Sequence, residues 1–277
     1  MKLRLTSALL GGAGCLAMIG SHTGIARETT LYIGGSIGGS FLGNSSNEGR
    51  LTEDFLITNS QSPLDGTTLP DGTPLSWETE FHDSATYSGV LGLSRYNIRV
   101  ELEAASVEYD VDVHDGFRLA GVPASEIDAA ALLPNSTTST SVSVGDIIGD
   151  ARGSLQTTYW MANLYIDADS PFSLLTPYFG GGVGIAYNDL TYAPSGLTIV
   201  DDDEPAFAYQ FMAGASYAVL PKLNIFAELG YRGTSEIELT ISETTFANQA
   251  ALFDGQLDIE NGGVIAEIGL RYDFSAL

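Results

Sequence analysis

Residues 98–111 read Ile98-Arg99-Val100-Glu101-Leu102-Glu103-Ala104-Ala105-Ser106-Val107-Glu108-Tyr109-Asp110-Val111. From Ile98 to Ala104 the apolar residues hold every even position, and Arg99, Glu101 and Glu103 hold the odd ones. Strict alternation places the two sets on opposite faces of a β-strand. Charges on one face and none on the other suit a strand that stands between lipid and a polar interior. After Ala105 the apolar residues Val107, Tyr109 and Val111 move to odd positions. The change of phase predicts a β-bulge near Ala105.

Seven more segments alternate in the same way: Leu31–Leu42, Ser84–Leu93, Thr158–Ile166, Leu175–Tyr187, Phe207–Val219, Leu223–Arg232 and Val264–Phe274. Each is about 10 residues or longer, enough to cross a bilayer at a tilt. Their apolar faces carry no charge, whereas the polar faces of the set carry Arg99, Glu101, Glu103, Glu228, Arg232, Glu267, Arg271 and Asp273. A charge facing lipid near the midplane would cost about 2–4 kcal/mol, which gives the segregation its physical reason.

The connections alternate in length. Short ones fall near Arg95-Tyr96-Asn97, Asp169-Ser170-Pro171 and Leu220-Pro221-Lys222, and long ones run over 43–83, 114–153, 189–205 and 234–260. The chain is therefore expected to be all-β: an eight-stranded antiparallel transmembrane β-barrel with short periplasmic turns and four long extracellular loops. A soluble barrel with its apolar face inside has the same period. Two features favour the polar face inside. Glycines crowd the polar faces of Leu31–Leu42 and Leu175–Tyr187, as a narrow interior requires. Phe41, Tyr87, Trp160, Tyr187, Tyr231, Tyr272 and Phe274 lie on the apolar faces near strand ends, like interfacial girdles.

Residues 1–26 read differently. Lys2 and Arg4 precede an apolar stretch from Ala8 to Ile19, and Gly24-Ile25-Ala26 offers small residues for cleavage. This is the layout of a secretory signal peptide, followed by a barrel domain over 27–277. Cys15, the single cysteine, would leave with it, so the exported chain would carry no disulfide and no thiolate metal site. Loss of Lys2 and Arg4 leaves nine cationic residues against 35 acidic ones, a formal charge of −26. Phosphate would be repelled, so no nucleic-acid partner is expected.

The charged residues of the polar faces admit two readings. They could line a selective pore, or they could pair into a salt-bridged plug. Eight strands leave an interior that side chains just fill, which favours the plug. The stretches 43–83, 108–152, 189–204 and 234–260 hold 27 of the 35 acidic residues, and Asp201-Asp202-Asp203-Glu204 is the densest run. Asp110, Asp112, Asp115 and Gly116 match a calcium loop only faintly, because the spacing is wrong. A solvated, repulsive surface is the plainer reading of these acids. Residues 136–143, rich in Ser and Thr, read as flexible loop. His82-Asp83-Ser84 and His114-Asp115 supply no set of nucleophile, base and orienting group. No catalysis, cofactor or metal is expected.

The blocks Arg99–Glu103, Thr176–Asn188 and Ala227–Gly233 resemble outer-membrane barrels. The chain resembles the alphaproteobacterial outer-membrane surface-antigen family, of the rickettsial major surface protein type. It is similar, more loosely, to the small outer-membrane protein A type of β-barrel. In the final strand Leu270, Tyr272 and Phe274 alternate like the terminal signal read by barrel-assembly machinery, although Ser275-Ala276-Leu277 follow it. The resemblance implies a surface-exposed protein of a Gram-negative outer membrane and no catalytic residues. Its implied partners are outer-membrane lipid and lipopolysaccharide, the assembly machinery, and an extracellular ligand held by the loops. A structural or antigenic surface role is the first expectation; a small porin and an adhesin or receptor are the alternatives.

Overall fold

Alternating faces become strands wherever both faces can be satisfied, and here that extends well past the eight segments. The computed structural model describes residues 29–51, 54–56, 66–129, 141–149, 153–168, 175–192, 200–235, 237–241, 255–259 and 262–274. The first strands are β1 (Thr30–Leu42), β2 (Ser45–Leu51), β3 (Phe55–Leu56), β4 (Thr68–Leu69) and β5 (Pro74–Phe81). Then come β6 (Ser84–Arg95), β7 (Ile98–Leu119), β8 (Val122–Pro123), a 3-10 turn (Ala124–Glu126) and a short helix α1 (Val144–Ile148). The rest are β9 (Gly153–Asp167), β10 (Leu175–Tyr192), β11 (Val200–Leu220), β12 (Leu223–Thr234), β13 (Ile237–Ile241), β14 (Gly255–Ile259) and β15 (Gly262–Asp273).

Eight of these close a ring. Going round, β1 pairs β6, β6 pairs β7, β7 pairs β9, and β9, β10, β11, β12 and β15 follow before β15 returns to β1. Every pairing is antiparallel, so no edge of the ring is left open. The expected transmembrane barrel is present. Its outward residues include Ile37, Leu91, Leu102, Leu164, Phe179, Phe211, Leu229 and Ile268, all large, apolar and exposed. All seven aromatics expected at the girdles are exposed as well.

The predicted bulge at Ala105 is not there. From Ile98 to Asp110 strand β7 pairs β9 residue for residue, and its pairing with β6 runs unbroken through Val107. What changes is the surroundings. Below Ala105 the inward residues are Arg99, Glu101 and Glu103; above it they are Ala105, Val107, Tyr109 and Val111, all buried. The outward face changes in the opposite sense, from Val100 and Leu102 to Glu108, Asp110 and Asp112. One face points inward throughout, and the outside solvent switches from lipid to water. The bulges lie farther up, where β7 meets β5. One extra residue falls near Asp112, and another falls near Gly116, whose φ of 66° suits a bulge glycine.

The long connections are likewise not simple loops. Strands β2 and β5 continue β1 and β6 upward, and β14 and β13 continue β15 and β12 in the same neighbour order. The barrel wall thus extends beyond the membrane. At ~3.3 Å per residue, the 22 residues of β7 span roughly 70 Å, against an apolar band about 25 Å tall. The interior of this outer part is an apolar core of Leu51, Leu75, Trp77, Val107, Leu119 and Leu155, closed by Ala124, Ile127 and Val144 from the turn and helix. Trp77 stacks on Phe117 at 5.6 Å. Among residues 136–143, expected as flexible loop, Ser143 caps helix α1 with a capping box to Asp146; positions 136–140 lie outside the described residues. So do residues 1–26, the connection Asp169-Ser170-Pro171, and Ser275-Ala276-Leu277.

Candidate functional site

Inside the membrane part, the inward face of each strand supplies polar side chains to a narrow lumen. Glycines make the space. A Cβ at Gly180 would meet the Tyr165 ring at 2.4 Å, and one at Gly92 would meet the Tyr32 ring at 2.2 Å. Large tyrosines can therefore lie across the lumen only because the opposite positions carry no side chain.

Two networks fill it. Toward the short-turn end, Arg99 donates from Nε to Asp167 at 2.9 Å and from Nη1 to Glu101 at 2.9 Å. Its guanidinium lies between the rings of Tyr165 and Tyr178, at 4.5 and 4.6 Å from their centroids. Tyr32 donates its hydroxyl to Glu101 at 2.7 Å. Arg271 sits over the Tyr32 ring and 3.9 Å from Asp273, and Asn224 donates to Asp273 at 2.9 Å.

One step outward, Glu103 is the hub. It accepts from Arg232 Nη2 at 2.6 Å, from Gln210 Nε2 at 2.7 Å and from Asn163 Nδ2 at 2.7 Å. Gln210 in turn accepts from Arg232 Nε at 2.7 Å and donates to Asn163 at 2.8 Å. The Arg232 guanidinium lies over the Tyr159 ring at 4.9 Å. A buried guanidinium is tolerable only when its charge is met, and here Glu103 meets it while Arg232 donates from both Nε and Nη2. The whole network is buried. Above it, Ser40 and Tyr109 share a hydrogen bond and Thr157 donates to Asn188 at 2.9 Å, before the apolar core begins.

All eight charged residues expected to face the lumen lie on the inward faces of their strands, in register with one another. Two of them, Glu228 and Glu267, are directly opposite each other on β12 and β15. Glu228 is hydrogen-bonded by Tyr178, and Glu267 accepts from Ser36 at 2.9 Å. A cavity of about 20 Å³ remains among Ser36, Ser88, Arg99, Glu101, Glu228 and Glu267, room for about one water-sized occupant. The sequence reading did not single out Asp167, Tyr32, Asn163, Gln210, Tyr165 or Tyr178. Their inward position was the available signal.

The remaining candidates lie elsewhere. His82 is exposed at the β5–β6 junction and its Nε2 stands 3.3 Å from Asp112; Ser84 donates to the His82 carbonyl and not to its ring. The buried His114 has Nδ1 2.8 Å from Thr79 Oγ1. Asp110, Asp112 and Asp115 sit along strand β7 and face water, so they form no calcium loop. Asp201–Glu204 pair through their backbones in β11; their side chains lie outside the described residues. Leu270 and Tyr272 face lipid on β15, and Phe274 follows its end. In water above the membrane, the Ser143 backbone N–H and hydroxyl hold the Asp146 carboxyl below its ordinary range.

The outer membrane protein OprG from Pseudomonas aeruginosa is similar in structure. It shares 12% identity with a TM-score of 0.54, over 90% of this chain and 97% of that one. Neisserial surface protein A shares 11% identity at a TM-score of 0.42, over 90% of this chain and all of the other. The outer membrane protease OmpT from Escherichia coli shares 10% at 0.41, over 88% and 97%. At such identities the likeness to OprG speaks for the fold alone. No curated protein matches the chain in sequence. A family model described as surface antigen matches residues 65–274, most of the chain and seven of the eight ring strands, and the chain belongs to that surface antigen family.

Proposed function

We propose that this barrel is a surface-exposed structural protein or antigen of the Gram-negative outer membrane, whose lumen is a plug and not a pore. The observation that carries the reading is the stack of two closed layers. The guanidinium–carboxylate networks of Arg99 and Arg232 fill the membrane part, and an apolar core fills the wall above it. Water would have to cross both. The role then falls to the outer wall, where Glu48, Glu78, Glu80, Glu108 and Asp110 face solvent. Residues 1–26 serve as the export signal, and the alternating Leu270, Tyr272 and Phe274 serve the assembly machinery. An adhesin or receptor role is the second reading, favoured by a folded, strongly acidic outer surface presented clear of the membrane.

Single-channel recording on the refolded chain in a planar bilayer tests the plug. Silence from a correctly folded, heat-modifiable barrel is expected. Discrete, reproducible openings would overturn the plug and make a small porin the leading function.

A further inference from the structure

We propose that His114 is a proton-operated latch on the outer wall: neutral, it ties β5 to β7 from inside, and protonated, it releases that seam. Two bulges place it. Against β5, strand β7 gains one residue between Val111 and Val113 and another between Asp115 and Arg118, so only the segment 113–115 runs out of phase with the rest of the strand. Below and above that segment the odd positions Val111 and Leu119 are buried; between the bulges it is His114, an even one. Bulges that re-aim one side chain and then restore the phase are a built feature of a wall.

Opposing forces act on this seam. On the water side Glu78 stands directly opposite Asp115, and like charges on paired residues weaken a pairing. On the inner side Thr79 stands opposite His114, with Oγ1 2.8 Å from Nδ1. A one-way chain leads to that contact. Ser45 donates to Asn47 Oδ1 at 3.1 Å, and Asn47 Nδ2 donates to Thr79 Oγ1 at 2.7 Å. The Thr79 oxygen already receives a hydrogen, so its own proton goes to Nδ1, which then carries none. All four side chains are buried. A proton on Nδ1 sets two donors against each other, reverses the Thr79 hydroxyl and puts a charge inside the wall, and each of these costs stability. The charged groups on the elements round the ring all face water: Glu48 on β2, Glu78 and Glu80 on β5, Asp112 and Asp115 on β7, and Asp146 on α1. The opened seam binds the proton and the latched one does not, so the outer wall weakens as pH falls through the ordinary histidine range.

The chain carries its own reporter. Trp77 is buried opposite Asn47 in the β2–β5 pairing, and the second tryptophan, Trp160, faces lipid. In the intact refolded barrel carrying Trp160→Phe, acrylamide quenching of Trp77 is followed from about pH 8 to about pH 5, with heat modifiability as the check on the membrane half. Quenching should rise several-fold on the acid side while the membrane half stays intact. His114→Asn offers Oδ1 to the Thr79 hydroxyl and takes up no proton, so Trp77 should stay shielded throughout. Thr79→Val removes the hydroxyl that favours the neutral ring and should move the transition up by about 0.5–1 pH unit; it carries the test if His114→Asn does not fold. His82→Gln, on the outer face beside Asp112, should leave the transition in place. A Trp77 equally shielded at both ends of the range, a transition that persists in His114→Asn, or one that Thr79→Val does not move would overturn the latch. So would a transition lost in His82→Gln, or loss of the membrane half at the same pH.

Discussion

The lower and upper halves of strand β7 share one geometry and opposite chemistry. In the lower half, Val100 and Leu102 face out while Arg99, Glu101 and Glu103 face in; in the upper half, Glu108 and Asp110 face out while Val107 and Tyr109 face in. The lower half is a membrane barrel with a polar filling. The upper half is a water-soluble barrel wall with an apolar core. The strand does not bend or slip between them. Polarity here reports the solvent on each side of the wall, and the inversion between Ala104 and Glu108 marks the outer membrane surface.

The two halves should break in different ways. Glu103→Ala should cost the most, because it strips Arg232 of its carboxylate and leaves a buried guanidinium unpaired, at about 3–5 kcal/mol. Denaturant unfolding from lipid vesicles would measure it, and a loss under about 1 kcal/mol would mean the lumen is wet. Leu51→Ala, in the apolar core above the membrane, should cost about 2–5 kcal/mol. Its damage should be local: faster proteolysis of the outer wall while the membrane part stays heat-modifiable. Loss of both together would show that the halves fold as one unit.

Leu102→Arg faces lipid and should cost about 2–4 kcal/mol. Glu108→Arg, on the same outward face, faces water and should move stability by no more than about 0.5 kcal/mol. Equal costs would erase the comparison. The smallest effect belongs to the cap of helix α1. Ser143→Ala should loosen that turn by about 1 kcal/mol, read as faster amide exchange at Gly145 and Asp146. The folded Asp146 carboxyl titrates below its unfolded range, held there by Ser143. Its support is thus complete above the unfolded range and fades as pH falls through the folded one. Acid-induced loosening should be visible in wild type and weaker in Ser143→Ala, which loses the hydroxyl but keeps the backbone N–H to Asp146.

The membrane half was legible in sequence because lipid permits no charge on one face, so parity alone assigned Arg99, Glu228 and Glu267 to the lumen. The upper half was misread for a related reason. Period two tells which residues share a face but not what that face touches, so the inversion at Ala105 looked like a bulge. Strands β2 and β5 looked like loop because their outward residues, Glu48, Arg50, Glu78 and Glu80, are charged and their runs are short. Within the lumen, charge named the acids and bases. It could not name Tyr32, Asn163 and Gln210, which complete the networks but carry no charge.

The most direct measurement is a single-cysteine spin-label scan of positions 98–112 in lipid vesicles, in a background lacking Cys15. Access to an apolar and to a water-soluble relaxant would be compared at each site. Even positions from 98 to 104 should be reached from lipid, and 108, 110 and 112 from water. Odd positions from 99 to 111 should be reached from neither. Lipid access that continues through 108–112, or that shifts to odd positions beyond 105, would contradict an unbroken strand crossing from one solvent to the other.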